Sequence, residues 1–371
     1  MKQNNYKGMM WMPNIFDYLK WRDLKFEKVE FTEVDNLILA RLAYFPLDNA
    51  VENEEITVKD AYEKYLTVKQ KGRILQEEDS QLFPLLANSI RFGELKLTEY
   101  INKIDLEQEE QFSAVTILMP NDIIYVSYRG TDNTIVGWKE DLNMSFKELV
   151  PAQTTAKNYL DKIAEKYRNK QIIVGGHSKG GNLAIYAAAF CNPEVQDRII
   201  KVYNNDGPGF CEKVVNSDEY KRIIKKVHTY IPKSSIIGRL LNHKEEITIL
   251  ESSQTGIMQH DLYTWQLIGG NFIKAQLTNS SEFIDKTLTD LLLNLSVEQR
   301  SLCIEVLFEI LNATKAETLS EINENKFSNI MTMIKTYKNL DEENKEIITK
   351  VLNILLKIGR SNIGKKDSGG N

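Results

Sequence analysis

Apolar residues in the central part of the chain fall into short β-branched runs, with segments of helical spacing between most of them. The first two runs are separated by Pro120-Asn121-Asp122, whose residue types favour a turn, so they predict a β-hairpin. The later runs alternate with helical segments, which predicts an α/β fold with a mainly parallel sheet between two layers of helices. The predicted strands are residues 112–119, 123–128, 172–174, 199–203, 227–231 and 246–250.

The N-terminal hundred residues are predicted to add helices to this sheet. Residues 14–21 have helical spacing, and Thr32 with Asp35 matches a capping box at the start of a second helix. Residues 25–31 alternate between polar and apolar, which predicts a half-buried strand. From residue 58 to about residue 104 the pattern is helical with breaks, and its apolar faces are expected to belong to the core.

From about residue 280 the apolar residues recur at helical spacing and predict about four helices, which could form a cap, a separate bundle or a partner surface. A chain of 371 residues exceeds what one compact core usually holds, so we expect either one large domain with elaborations or a core with a smaller helical domain. The predicted divisions are an α/β core with a helical N-terminal elaboration (1–275), a C-terminal helical region (276–362) and a disordered tail (363–371).

The net charge and the cysteine content exclude some classes of function. The net charge is −5 without a basic stripe, so no nucleic-acid partner is expected. The three cysteines, Cys191, Cys211 and Cys303, are too widely spaced for a disulfide framework or a zinc site. No secretory signal and no apolar run of about 18 residues is visible, so a cytoplasmic location is the expectation. No metal-ligand cluster, P-loop or dinucleotide fingerprint appears either, so no cofactor is expected.

The clearest chemical signal lies in residues 171–188, where an apolar run is followed by Gly176-His177-Ser178-Lys179-Gly180 and then by a helix rich in alanine. Gly-x-Ser-x-Gly between a strand and a helix is the nucleophile-elbow pattern, in which the serine hydroxyl is exposed on a sharp turn. A glycine-rich turn that binds nothing is the alternative. The elbow geometry would make the backbone N–H of Lys179 one donor of an oxyanion hole.

A serine nucleophile needs a base, and the chain order of this type of site places the histidine after the serine. Three histidines qualify. His228 lies inside a predicted strand and cannot easily reach a loop-top serine, whereas His243 is a plausible but early candidate. His260 follows the last predicted strand in a loop and is the favoured base, while His177 is assigned no proton transfer.

Two segments resemble the class 3, or fungal-type, lipases of the α/β-hydrolase superfamily: residues 126–132, with Trp138 and Asp141 behind them, and residues 175–181. The chain is also similar to a bacterial group of uncharacterised proteins with this lipase-like core. The resemblance covers about residues 110–265 and implies that Thr131 contributes its N–H, and its hydroxyl as a further donor, to the oxyanion hole. Arg129 is expected to be structural, for instance paired with Asp141 or a backbone carbonyl.

The acid of the triad is less directly marked. The family carries it in an Asp-x-Val-Pro-like segment, where this chain has serines, Ser234 and Ser235. Asp206 ends the preceding predicted strand at the carboxyl edge of the sheet, where functional groups collect, and is the favoured acid. The alternatives are Glu245 or Glu246, a serine-histidine dyad without an acid, and a purely structural turn cap at Asp206.

Together these features predict a serine hydrolase that cleaves carboxylic esters through an acyl-enzyme. The resemblance implies acyl or lipid esters, so a small-molecule or lipid substrate is expected and peripheral membrane contact is compatible with it. The Lys179 ammonium is interpreted either as a solvated side chain or as a group that favours an anionic substrate, such as a phospholipid head group. The alternative function is a catalytically weakened hydrolase fold that acts as a binding or scaffold protein through its C-terminal helices.

Overall fold

The computed structural model describes residues 13–51, 54–68, 76–132, 134–144, 147–276, 297–314, 326–342, 344–346, 348–349 and 353. A mixed eight-stranded sheet lies at its centre, with the strands arranged in chain order. They are β1 (Ile56–Thr57), β2 (Lys96–Asp105), β3 (Glu110–Met119), β4 (Ile123–Tyr128), β5 (Gln171–His177), β6 (Ile199–Asn205), β7 (Val227–Pro232) and β8 (Ile247–Leu250). The pairs from β1 to β4 are antiparallel and those from β4 to β8 are parallel. The predicted hairpin and the α/β fold class are confirmed.

Helices cover both faces of this sheet. The N-terminal ones are α1 (Ile15–Trp21), α2 (Glu33–Leu42), α3 (Val58–Thr67) and α4 (Glu77–Ala87). Those between the later strands are α5 (Ile135–Asn143), α6 (Pro151–Lys166), α7 (Lys179–Phe190), α8 (Pro193–Arg198), α9 (Glu212–Val215) and α10 (Asp218–Ile223). A small hairpin of β9 (Leu267–Ile268) and β10 (Asn271–Phe272) follows, and then α11 (Val297–Asn312) and α12 (Lys326–Asn339).

Strand β5 shows why helices must cover both faces of the sheet. Ile172 and Val174 are fully buried in the cluster that contains the apolar residues of α6 and α7. Ile173, between them, is buried in the opposite cluster with the apolar residues of α2 and α4. A strand with apolar residues on both sides is stable only between two apolar layers, so β5 is held in the middle of the molecule.

Two predictions for the N-terminal part are wrong. Residues 25–31 form a turn and not a strand, because the Arg91 guanidinium donates hydrogen bonds to two of their carbonyls, Val29 O (3.2 Å) and Glu30 O (2.9 Å). The helical pattern read up to residue 104 ends earlier, since Lys96–Asp105 is strand β2 and pairs with the edge of β3. The capping box at Thr32 is present, with Asp35 Oδ2 accepting from Thr32 N at 2.8 Å.

Helix α11 packs on α5 through the buried side chains of Ile135, Ile304 and Phe308. Lys139 Nζ also lies 3.1 Å from Glu305 Oε2 between the same two helices. The other helical patterns predicted near residues 283–295 and the predicted tail at 363–371 lie outside the described residues, and the domain boundaries stay predictions. No helix in the described part of the chain has the length and apolarity needed to cross a membrane.

Candidate active site

Four candidate site residues follow the carboxyl ends of strands in the parallel part of the sheet. Thr131 lies just beyond β4, Ser178 directly follows β5 and Asp206 directly follows β6. His260 ends a short 3-10 turn, Gly256–His260, in the segment after β8. Since the carboxyl ends of parallel strands share one edge, the topology alone brings these segments together.

Ser178 sits on a sharp turn between β5 and α7, with φ 58° and ψ −134°. A serine rarely adopts a positive φ, and such strain is found where a side chain must be held in an unusual position. The flanking glycines make the turn possible, because a Cβ on Gly180 would lie 2.2 Å from Tyr128 O and one on Gly176 2.3 Å from Gly180 O. The backbone therefore has the geometry of a nucleophile elbow.

The side chains of Ser178, His260 and Asp206 form a continuous hydrogen-bonded series. His260 Nε2 is 2.9 Å from Ser178 Oγ, and His260 Nδ1 is 2.7 Å from Asp206 Oδ2. Asp206 is completely buried, whereas the His260 side chain is 24% exposed and so reachable from solvent. With Nδ1–H donating to the carboxylate, Nε2 is left to accept the serine proton.

Ser235 has a role that sequence reasoning missed. Its hydroxyl donates to Asp206 Oδ2 at 2.8 Å, the same oxygen that accepts from His260. The segment in which the resemblance placed an aspartate thus supplies a hydrogen bond to a carboxylate from the neighbouring strand. A buried carboxylate needs such partners, since an unpaired buried charge is costly.

The other candidate acids and bases lie elsewhere. Glu245 Oε1 is 2.8 Å from His243 Nδ1, so these two alternatives pair with each other. Burial would raise the pKa of Glu245, but hydrogen bonds from His243 and its neighbours outweigh it and lower that pKa to about 2. Glu246 is exposed, and His228 lies within β7 with its ring 5.3 Å from that of Tyr203.

Tyr44, just beyond the end of α2, connects the two backbone segments on either side of Ser178. Its hydroxyl accepts from Gly130 N at 3.0 Å and donates to His177 O at 3.1 Å. Tyr44 is buried, and burial raises its pKa to about 12, so the hydroxyl stays protonated and able to donate. No motif in the sequence marks this residue, because its partners are 86 and 133 residues away.

His177 is also built into the site. Its Nε2 lies 2.8 Å from His260 O, and its ring centroid is 4.6 Å from that of His260. Burial, and to a lesser degree the nearby His260, hold the pKa of His177 well below its usual range. A neutral His177 with hydrogen on Nε2 donates to the His260 carbonyl and so fixes the backbone of the proposed base.

The Thr131 hydroxyl donates to Asp141 Oδ2. Because its only hydrogen is used there, the backbone N–H of Thr131 is the group left to serve as a donor. Burial raises the pKa of Asp141 to about 6, although Lys179 and the Thr131 hydroxyl oppose this shift. Arg129 does not pair with Asp141 as expected. Its Nη2 lies 3.1 Å from both Asp132 Oδ2 and Asn102 Oδ1.

Both interpretations of the Lys179 side chain are wrong. Lys179 is 1% exposed, and its ammonium donates to Gln111 O and Gln111 Oε1, both at 2.8 Å, and to Glu140 Oε2 at 2.9 Å. It is neither solvated nor available to an anionic substrate. A lysine in the first turn of a helix is usually exposed to solvent. Only the hydrogen bonds to Gln111 and Glu140, which are distant in the sequence, show that this side chain is buried.

The sheet, the nucleophile elbow and the side chains at its carboxyl edge define the α/β-hydrolase fold. A family model described as Mbeg1-like matches residues 86–309, more than half of the chain. The chain therefore belongs to the Mbeg1-like family.

Comparison with curated protein sequences gives no match. Solved structures with a similar fold include fungal lipases of low identity. A lipase from Rhizopus microsporus var. chinensis is 15% identical, with 52% of this chain and 78% of that chain covered and a TM-score of 0.37. Lipase II from Rhizopus niveus is 13% identical (52% and 86% covered, TM-score 0.37), and Lip2 lipase from Yarrowia lipolytica is 14% identical (58% and 78% covered, TM-score 0.34). At these values, activity and substrate have to be inferred from the site itself.

Within the described residues, no group of three or more His, Cys, Asp or Glu side chains is arranged to hold a metal ion.

Proposed function

We propose that the protein is a serine hydrolase that cleaves carboxylic esters through an acyl-enzyme, with Ser178 as nucleophile, His260 as base and Asp206 as acid. The single observation that carries this proposal is the series Asp206 Oδ2, His260 Nδ1, His260 Nε2 and Ser178 Oγ, with distances of 2.7 and 2.9 Å. Both distances lie within the range required for proton transfer between positioned side chains.

In the proposed reaction, Ser178 Oγ attacks the ester carbonyl carbon while its proton moves to His260 Nε2. The tetrahedral oxyanion accepts hydrogen bonds from the backbone N–H groups of Lys179 and Thr131. His260 then gives the proton to the leaving alkoxide, which departs as an alcohol and leaves the acyl group on Ser178. Water, deprotonated by His260, attacks the acyl-enzyme and releases the carboxylic acid, which restores the serine hydroxyl.

Two features support the oxyanion hole as proposed. The loop that carries Thr131 abuts the nucleophile, since a Cβ on Gly130 would lie 2.9 Å from Ser178 Cβ. The single Tyr44 hydroxyl contacts both Gly130 N and His177 O, so the spacing of the loop and the elbow is fixed. Each such donor is worth about 3 kcal/mol of transition-state stabilisation.

Acyl or lipid esters are the proposed substrate class, on the strength of the Arg129-Gly130-Thr131 and Gly176-to-Gly180 motifs. Serines at 234 and 235, in place of the aspartate that the resemblance implies, are the feature that suggests the scaffold alternative, but Ser235 donates a hydrogen bond to Asp206. No observation in the described residues favours that alternative, so the hydrolase is the one function proposed.

The test is a fluorophosphonate probe followed by peptide mapping, with Ser178→Ala as the control. We expect labelling at Ser178 in the wild type and none in the variant. A wild-type protein that stays unlabelled while a known serine hydrolase reacts in the same tube would refute the proposal. A series of p-nitrophenyl esters of increasing acyl length then tests the lipid preference.

A further inference from the structure

The residue after the proposed nucleophile carries an ammonium group buried among polar partners. Lys179 is the first residue of α7, where the positive end of the helix dipole disfavours a cation. Its Nζ nevertheless donates hydrogen bonds to Gln111 of β3 and to Glu140 of α5, and Glu140 is fully buried. A buried charge in an unfavourable place requires compensation, and Glu140 provides it.

Glu140 in turn connects three elements to its own helix, α5. Its Oε2 accepts from Gln111 N at 3.0 Å as well as from Lys179, and its Oε1 accepts from Ala152 N at 2.9 Å in the first turn of α6. The ion pair therefore connects the start of α7 with β3, α5 and α6. The same α5 carries Asp141, the acceptor of the Thr131 hydroxyl.

Asp141 lies close to the side chains of both residues whose backbone N–H groups are the proposed oxyanion donors. Its Oδ1 is 3.9 Å from Lys179 Nζ, while its Oδ2 accepts from Thr131. The charged and titratable groups that act on Asp141 from the elements around it are Lys179, Glu140, His260 and Tyr44. A carboxylate accepts a hydrogen bond about twice as strong as a neutral acceptor does, so the ionised form of Asp141 holds Thr131 more firmly.

We propose that Lys179 is a positioning residue for the oxyanion hole: its ammonium anchors α5 through Glu140 and lies beside Asp141, which accepts the hydrogen bond from the Thr131 hydroxyl. This inference rests on the proposed hydrolase function. One residue thereby supplies a backbone donor to the hole and, through its side chain, holds the second donor in place.

The test is the pH dependence of fluorophosphonate labelling at Ser178 in variants of Lys179, Glu140 and Asp141, with a variant of Lys139 as the control. Lys179→Met removes the cation at similar length. We expect labelling at pH 7 to slow by about 10- to 100-fold, since a misplaced group near the reaction centre costs about that much. The acid-side limb of the profile should move to higher pH, because the group that favours ionised Asp141 is gone.

Glu140→Gln should move the same limb in the opposite direction, to lower pH, because its negative charge opposes ionisation of Asp141. Loss of packing alone would not shift the limb in opposite directions in the two variants. In an Asp141→Asn background, neither substitution should move the limb. Movement that persists there would mean that the charges act directly on His260, which overturns the proposal.

Lys139→Met is the matched control, since it removes a cation from the same helix that pairs with Glu109 at 2.6 Å and whose described side-chain contacts do not include Glu140 or Asp141. Its labelling rate and profile should remain those of the wild type. If Lys179→Met does not fold, the test rests on Glu140→Gln. An acid-side limb that stays at the wild-type pH in that variant refutes the inference. Failure of the hydrolase proposal is distinct, because the wild type itself would then be unlabelled.

Discussion

Asp206→Asn tests the proposed triad most directly. Asp206 is completely buried, and its Oδ2 accepts from His260 Nδ1 at 2.7 Å, so the bond is charge-assisted and becomes an ion pair when His260 takes the proton. Hydrogen bonds to a charged group are worth about 1.5–3 kcal/mol, and Oδ2 accepts two of them. Their loss predicts a fall in kcat of about two to four orders of magnitude.

An asparagine that turns its amide N–H toward Nδ1 adds to this loss. It would favour the histidine tautomer with hydrogen on Nε2, which cannot accept the serine proton. The assay is hydrolysis of a short p-nitrophenyl ester under saturating substrate, together with a thermal melt to show that the variant is folded.

Glu245→Gln is a closely matched control. It alters a second buried histidine-carboxylate pair, in which Oε1 lies 2.8 Å from His243 Nδ1. We expect this variant to lose stability and to keep kcat within about threefold of the wild type, since it lies outside the proposed triad. An Asp206→Asn protein with kcat within tenfold of the wild type, or an equal loss in Glu245→Gln, would show that Asp206 is not the acid.

Three further predictions concern residues near the site and the second buried pair. Tyr44→Phe leaves Gly130 N and His177 O without their shared partner. We therefore expect urea unfolding to show a loss of about 2–4 kcal/mol in the free energy of unfolding, and ester hydrolysis to show at least a tenfold fall in kcat. An unchanged kcat in the folded variant would contradict the role given to Tyr44. The pKa of Asp141 is raised from 3.8 to about 6, which means that the folded protein holds this proton more tightly than the unfolded chain does. The resulting contribution to the free energy of unfolding is complete below pH 4 and is lost as pH rises through 6. Asp141→Asn should therefore be more stable than the wild type at pH 8, by about 1–3 kcal/mol, and a less stable variant in chemical unfolding would count against this. Glu245 has the opposite sign: its pKa falls from 4.5 to about 2, so wild-type stability should drop by roughly 3 kcal/mol between pH 5 and pH 2, and Glu245→Gln should flatten that part of the curve.

The sequence was sufficient for features that depend on local backbone or on strand order. Ser178 is marked by its flanking glycines because no other residue fits those close approaches. His260 and Asp206 follow from the rule that groups collect at the carboxyl edge of parallel strands, and the structure brings both to Ser178.

Features that depend on distant partners were not predictable. Residues 96–105 form strand β2 because they pair with β3. The local pattern of apolar residues in this segment does not reveal that pairing. The burial of Lys179 depends on Glu140, which lies 39 residues away, and the position of Tyr44 depends on a loop 86 residues away. A lysine or a tyrosine carries no sequence signal that distinguishes these contacts from ordinary exposure or packing.

The contact between Tyr44 and Gly130 bears on what can be shortened without loss. The family match begins at residue 86, yet Tyr44 and all of α1, α2 and α3 precede it. A protein cut back to residues 86–309 would expose the apolar face of β5 and neighbouring strands that α2 covers. We expect such a fragment to aggregate on expression and not to fold by itself, because the N-terminal helices complete one apolar layer of the α/β-hydrolase fold.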